Sequence, residues 1–336
     1  RNAAWTLLYT LVEVSQDFMM SFPFISVQLF LIAAILAPPQ PPPPVSSSPR
    51  IEYLRTVPSV REFTKPRGFF SKMVTLLAGT DEDKPELLRP YSTAQDSTGR
   101  LLITDPGAHG VHIYDFERRK YQFLKGPRGK QMESPIDVVC DVNDDIYVSD
   151  SARQQIYVFN TRGRFLRTIE GTGPDARLQR PTGMALDRSA RRIYMTDTLR
   201  HQLLVLGMDG SLIQVIGKRG SGPGEFNFPT AVTLSAGRVY VVDSMNFRIQ
   251  AFTPDGKFIN SFGQQGNQSG TLSLPKGIAA DTDGNLYVVD ALFETVQVFD
   301  AAGRLLYYFG STGTGPGQFQ LPSGISIDER NRIYVA

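Results

Sequence analysis

Residues 275–310 read "PKGIAADTDGNLYVVDALFETVQVFDAAGRLLYYFG", and the fold follows from how this stretch is parsed. A proline opens an apolar run, "DTDGN" interrupts it, and "LYVVD" ends on Asp290; "TVQVF" and "RLLYYF" come next, separated by "DAAG". β-Branched and aromatic runs bounded by Gly, Asn and Asp read as short strands joined by turns. The pattern recurs as "LLITD" to Asp105, "IYVSD" to Asp150, "IYMTD" to Asp197 and "VYVVD" to Asp243, at intervals of about 45 to 47 residues. The openers Pro90, Pro135, Pro181, Pro229, Pro275 and Pro322 keep step with them. Four strands at this period describe one propeller blade.

The expected architecture is therefore all-β: a six-bladed β-propeller of four-stranded antiparallel blades, starting near residues 90, 135, 181, 229, 275 and 322. The last blade is incomplete, because "RIYVA" stops at Ala336 before a third strand can begin. Upstream of blade one, "EYLRTV" (52–57) copies "RFLRTI" (164–169), the outermost strand of blade two. A propeller must join its first and last blades, and an unpaired sheet edge invites aggregation. Residues 51–57 are thus expected to supply the outer strand of blade six, leaving its third strand missing.

From Pro90 to Ala336 the chain resembles the NHL-repeat family of β-propellers, most closely in "DTDGNLYVVD" and "DSMNFRIQAFTPDGKFINSFG". Blade one, "STAQDSTGRLLITDPGAHGVHIYD", departs furthest, lacking the early Gly and the Asn. The resemblance implies six blades, and similar exported bacterial proteins carry a proline spacer and a short apolar segment ahead of blade one. It also brings in animal NHL propellers that bind RNA and peptide-amidating lyases of the same propeller type.

Both features stand in the N-terminal region. Phe22 to Ala37 is uncharged and apolar, shorter than a membrane span of about 20 residues, and suits a signal h-region. Residues 1–37 are expected to form an export signal or membrane anchor. "PPQPPPPVSSSP" reads as an extended polyproline II spacer over 38–50. The propeller then occupies 51–336, with a short helix over 66–79 where Phe69, Phe70, Met73, Val74 and Leu77 recur at helical spacing. A net charge of +2 over 336 residues gives no general mandate for nucleic acid. Cys140 is the single cysteine, which excludes an intrachain disulfide and a Cys-based zinc site.

Antiparallel blades place the second-to-third loops and the blade-to-blade crossings on one face, here called the top. That face gathers Arg128, Arg153, Arg177, Arg200, His201, Lys218, Arg219, Arg248 and Lys276, partly offset by Glu133, Asp137, Asp175, Glu225 and Glu294. These nine residues are the expected contacts for a polar or anionic partner, since arginine presents a planar fork of donors to such groups. A protein or a cell-envelope polymer fits an exported, membrane-tethered chain; nucleic acid does not.

Catalytic features are sparse. The crossings are rich in glycine, but the Gly-Lys-Ser/Thr ending of a phosphate loop is absent. "DVNDD" (141–145) and "DTDGN" (281–285) imitate the start of a calcium loop, yet Ala152 and Leu292 stand where its closing Glu belongs, so hairpin turns are expected. His109 and His201 occupy equivalent places four residues after the repeated Asp; three convergent ligands for a catalytic metal are not found. The reading is a noncatalytic binding scaffold without cofactor or metal. The alternative is a propeller enzyme, a lyase or lactone hydrolase, with its site at the channel mouth.

Overall fold

The computed structural model describes residues 10–14, 51–64, 85–171 and 177–336. The apolar run 22–37, the proline spacer and the expected helix over 66–79 lie outside them. Six four-stranded antiparallel sheets form the blades. In blade five the strands run Pro275–Ala280, Leu286–Asp290, Thr295–Phe299 and Leu305–Phe309 from the axis outward, and blades one to four repeat this order.

Each second strand is buried on both faces; every residue of Leu101–Asp105, Ile146–Asp150 and Leu286–Asp290 is buried. Their apolar side chains meet those of the next blade, and one cluster fills each junction. Val111, Ile113 and Leu124 of blade one pack with Val138, Ile146 and Val148 of blade two; the junction from six back to one holds Val57, Val60, Phe63, Leu101, Ile103, Tyr114 and Tyr334. Such burial contributes roughly 25 cal/mol per Å² of apolar surface, so the ring is held chiefly between blades. Hydroxyls add to the closure: Thr93 meets Ser326 at 2.7 Å, and Ser323 donates to the Tyr91 carbonyl at 2.9 Å.

Blade six is assembled from both ends of the chain. Ile325–Ile327 and Arg332–Val335 form its inner pair, and Ile51–Thr56 is its outermost strand. The third-strand place, expected to be empty, is filled by Thr10–Val14, which pairs with Arg332–Val335 on one side and with Ile51–Thr56 on the other. Its sequence, "TLVEV", is close to the third strand "TVQVF" of blade five. The outer pair carries a register shift at Leu11/Val12, matching the bulges in the outer pairs of blades two to five. The sheet edge is therefore closed with the same local geometry as a continuous blade.

Inner strands approach closely around the axis, which explains the glycine two residues after the proline. A Cβ on Gly183 would lie 2.5 Å from the Ala231 Cα, on Gly277 2.5 Å from the Ser323 carbonyl, and on Gly324 2.4 Å from the Tyr91 carbonyl. At those distances backbone would have to move. Between the strands runs an axial cavity of about 680 Å³.

Candidate functional site

The repeated Asp residues build the top face without being its ligand contacts. Asp105, Asp150, Asp197, Asp243 and Asp290 are fully buried. Asp150 accepts backbone N–H groups from Glu133 and Ser134, in the crossing that leads into its blade, and from Ala152 and Arg153 just after it. Asp197 takes Gln179 and Arg180, and Asp290 takes Ser273 and Leu274, in the same way. The following loop donates to Asp105, Asp150 and Asp290, and the segment before the blade donates to the Asp in every complete blade. Burial pushes the Asp105 carboxyl up, but the His112 ring 3.4 Å away and the N–H groups of Leu88 and Ala108 outweigh it and hold the group below the usual carboxylate range. The next residue joins blades: Ser151, Thr198 and Ser244 donate to the carbonyls of Pro181, Pro229 and Pro275 at 2.5 to 2.7 Å.

The place shared by His109 and His201 is a turn conformation. His109, Gln154, His201, Phe247 and Glu294 all have φ between 53° and 58°, a left-handed region uncommon outside glycine. From it three side chains reach the next crossing. His109 Nδ1 bonds the Glu133 carbonyl at 2.7 Å, His201 Nδ1 accepts the Phe228 N–H at 3.1 Å, and Glu294 accepts the Leu321 N–H at 3.2 Å. His201 is buried against the Phe228 ring. Among the described residues no group of three His, Cys, Asp or Glu side chains is placed to hold a metal. The calcium-like loops close as turns: Asp141 accepts the N–H groups of Asn143 and Asp145, and Asp281 those of Asp283 and Asn285.

The nine expected contact residues divide by what their donors already hold. Arg248 is committed to Asp243 at 2.8 Å and to the carbonyls of Gly222 and Glu225. Arg200 spans Gln202 and the Arg177 carbonyl. Arg153 pairs with Glu133 at 3.2 Å and Lys218 with Glu225 at 3.4 Å, both near the surface where such pairs stabilise little. His201 serves the crossing described above. Arg128, Arg177 and Arg219 are exposed with no ion-pair partner among the described residues, and Lys276 lines the axial cavity. The structure does not bring the nine together in one pocket.

Two further exposed cations lie outside that set. Arg89 and Arg180 each precede a strand-opening proline, in blades one and three, and both are exposed. Burial pushes the Tyr91 hydroxyl above the ordinary tyrosine range, with Arg180 and Arg89 acting against that rise and Asp137 adding to it. The signal that would have found them is the position before the proline, which is Ser134, Phe228, Leu274 or Leu321 in the other blades. Asp137 stands where most blades have a small residue. Its carboxylate accepts Ser92 Oγ and Met184 N–H at 2.6 Å each, and Val138 N–H at 2.9 Å, so it binds three blades together. Burial pushes this carboxyl up to about 6.

Comparison with known proteins agrees with this architecture. The profile of a family described as a 6-bladed beta-propeller matches residues 131–177, 184–235 and 276–336, and that of the NHL repeat matches 226–252. The protein brain tumor of Drosophila melanogaster is 26% identical over 136 residues, covering 39% of this chain; the match spans only 13% of that protein's length. Among solved structures, a catalytically inactive virginiamycin B lyase from Staphylococcus aureus with quinupristin is 17% identical, with 71% of this chain and 74% of that chain covered and a TM-score of 0.54. A nidogen/laminin complex gives 20% identity, 72% and 88% coverage and a TM-score of 0.54. At these identities the likeness is one of fold. Blade order, repeat spacing and profile matches converge on one statement: the chain is a six-bladed β-propeller built of NHL repeats.

Proposed function

We propose that this propeller is a noncatalytic scaffold that binds a polar or anionic partner, a protein or a cell-envelope polymer, through its top face. The observation that carries the reading is the set of exposed guanidinium groups there, Arg89, Arg128, Arg177, Arg180 and Arg219, which form no ion pair among the described residues, on a face whose described acids are largely engaged. Similarity to a nidogen/laminin complex supports a protein partner, since that propeller is seen in an assembly. The family's lyase neighbours keep a second class open through fold alone.

Envelope location is part of the proposal and rests on the sequence of residues 22–50. Val14 pairs with Ile51, so the segment between them begins and ends at one sheet edge. A single crossing of a bilayer would separate those paired strands, and cleavage after Ala37 would remove Thr10–Val14. Any attachment through this segment has to leave both strands on the propeller. Among the described residues no helix is long and apolar enough to cross a membrane.

The test is crosslinking capture from cell extract with the wild type and with a variant carrying Arg128→Glu, Arg177→Glu and Arg219→Glu. The reading expects captured partners to be lost from the variant, increasingly so as salt is lowered in the comparison. Identical captures from both proteins contradict it.

A further inference from the structure

The axial cavity carries one charge of each sign at its proline end. The six first strands touch in cyclic order around it, each against the next and the sixth against the first, so blades two and five face each other across the axis. Asp137, two residues after Pro135, lines the cavity from blade two, and Lys276, next to Pro275, lines it from blade five. Among the described residues neither takes part in an ion pair. The repeat does not demand these charges: the place of Asp137 is Ser92, Gly183, Ala231, Gly277 or Gly324 in the other blades, and that of Lys276 is uncharged in all of them. The remaining charged residues of the lining, Asp187, Arg188 and Arg238, sit at the opposite end, where first strands turn into second strands.

Both groups keep unused hydrogen-bonding capacity. An ionised carboxylate offers about four lone-pair sites. Asp137 Oδ1 is filled by Ser92 Oγ at 2.6 Å and Val138 N–H at 2.9 Å, whereas Oδ2 accepts Met184 N–H alone. Lys276 is bonded through its carbonyl, which accepts Thr230 Oγ1 at 2.9 Å, and its ammonium donors have no partner among the described residues. Burial pushes the Asp137 carboxyl up and, ahead of the Arg89 charge, the Lys276 ammonium down, so each charge is short of a counter-ion. Gly277, Gly324 and Ala231 leave room between them, and farther along the first strands the wall turns apolar with Val139, Ala185 and Ile278. A cavity of about 680 Å³ with an apolar wall and a few polar groups is of the kind that takes a small ligand. Opposite charges on opposite walls, unpaired with each other, match a ligand that brings both counter-charges, because each buried charge is costly until it is paired.

We infer that the axial cavity binds a small zwitterion with an apolar substituent, an amino acid or a dipeptide, with its ammonium on Asp137 Oδ2, its carboxylate on the Lys276 ammonium and its apolar part against Val139 and Ile278. The site is separate from the exposed arginines of the top face and does not depend on their binding a partner.

Isothermal titration of the full chain with leucine and, separately, with leucyl-leucine tests it, at about pH 7 where the Asp137 carboxyl is mostly ionised. One-to-one binding is expected, and which of the two binds more tightly gives the spacing between the charges. The half-analogues 3-methylbutylamine and 4-methylpentanoate each lack one charge and should bind roughly tenfold or more weaker, the loss of one charge-assisted hydrogen bond. Lys276→Met should weaken the zwitterion by a similar factor while leaving 3-methylbutylamine unchanged, and Asp137→Asn should weaken zwitterion and amine alike. The Lys276 side chain ties no blades together, so its variant keeps the test informative if the Asp137 variant does not fold. No binding of either zwitterion at millimolar concentration, half-analogues that bind as well as the parent, or Lys276→Met without effect overturns the site. If zwitterion binding fails while partner capture persists, the cavity site falls and the reading of the top face stands.

Discussion

A buried carboxylate repeated once per blade acts as a staple, and its energetics follow from what it accepts. Replacing Asp150, itself fully buried, by Ala would strand four partly buried backbone N–H groups. Each buried donor left unsatisfied costs about 1 to 3 kcal/mol, so chemical denaturation should show a loss of at least about 3 kcal/mol. Ser244→Ala removes one bond, to the Pro275 carbonyl, and should cost about 1 kcal/mol by the same measurement. Asp137 differs in kind. Its carboxyl is pushed up to about 6, against an ordinary 3.8, by burial ahead of its hydrogen bonds. The folded state thus holds this proton more tightly than the unfolded state. Its contribution to stability is greatest below pH 4 and declines as pH rises towards 6. Carbon-13 NMR of the Asp137 carboxyl should give a midpoint near 6; a midpoint at or below 4 would show that the site is better hydrated than its neighbours suggest.

At the scale of elements, the motif positions separate those that fix geometry from those that merely repeat. Gly183 allows two inner strands to touch, and Gly183→Ala drives a methyl into the Ala231 and Thr230 backbone; overpacking of this kind costs about 1 to 3 kcal/mol. Leu166, Ile213, Ile259 and Leu306 sit at the bulges of outer strands and are exposed. Leu166→Ser should therefore change stability by less than about 0.5 kcal/mol, as surface substitutions usually do. Comparing the two melting curves checks the distinction.

Much of this level was legible in the sequence, because Pro, Gly and Asp are forced by a close approach, a turn or a buried acceptor wherever they recur. The third strand of blade six was not. "TLVEV" is five residues in an apolar neighbourhood, and its partners lie at the other end of the chain, so nothing local marks it as a strand. The candidate site was legible only in part: charge can be counted from sequence, but whether Arg248 faces a partner or Asp243 depends on packing. Arg89 escaped notice because it precedes blade one, outside the blade-to-blade crossings whose charge was counted.

For the whole molecule, position follows from closure. The ring sets which loops share a face and where the axial cavity opens, so each functional statement depends on the sixth sheet being completed from the N-terminal strands. Both strands of that closure, Thr10–Val14 and Ile51–Thr56, precede blade one, and their hydrogen bonds cover an edge that would otherwise template association. Leu11 and Tyr334 are register partners across the closure. Paired antiparallel positions bring Cβ atoms to about 4.5 to 5.5 Å, within reach of a disulfide after small adjustment. The most direct measurement is therefore oxidation of a Leu11→Cys, Tyr334→Cys variant, read by mass spectrometry. An intramolecular disulfide in the monomer is expected; no crosslink, or one formed only between molecules, would contradict a ring sealed by its own N-terminus.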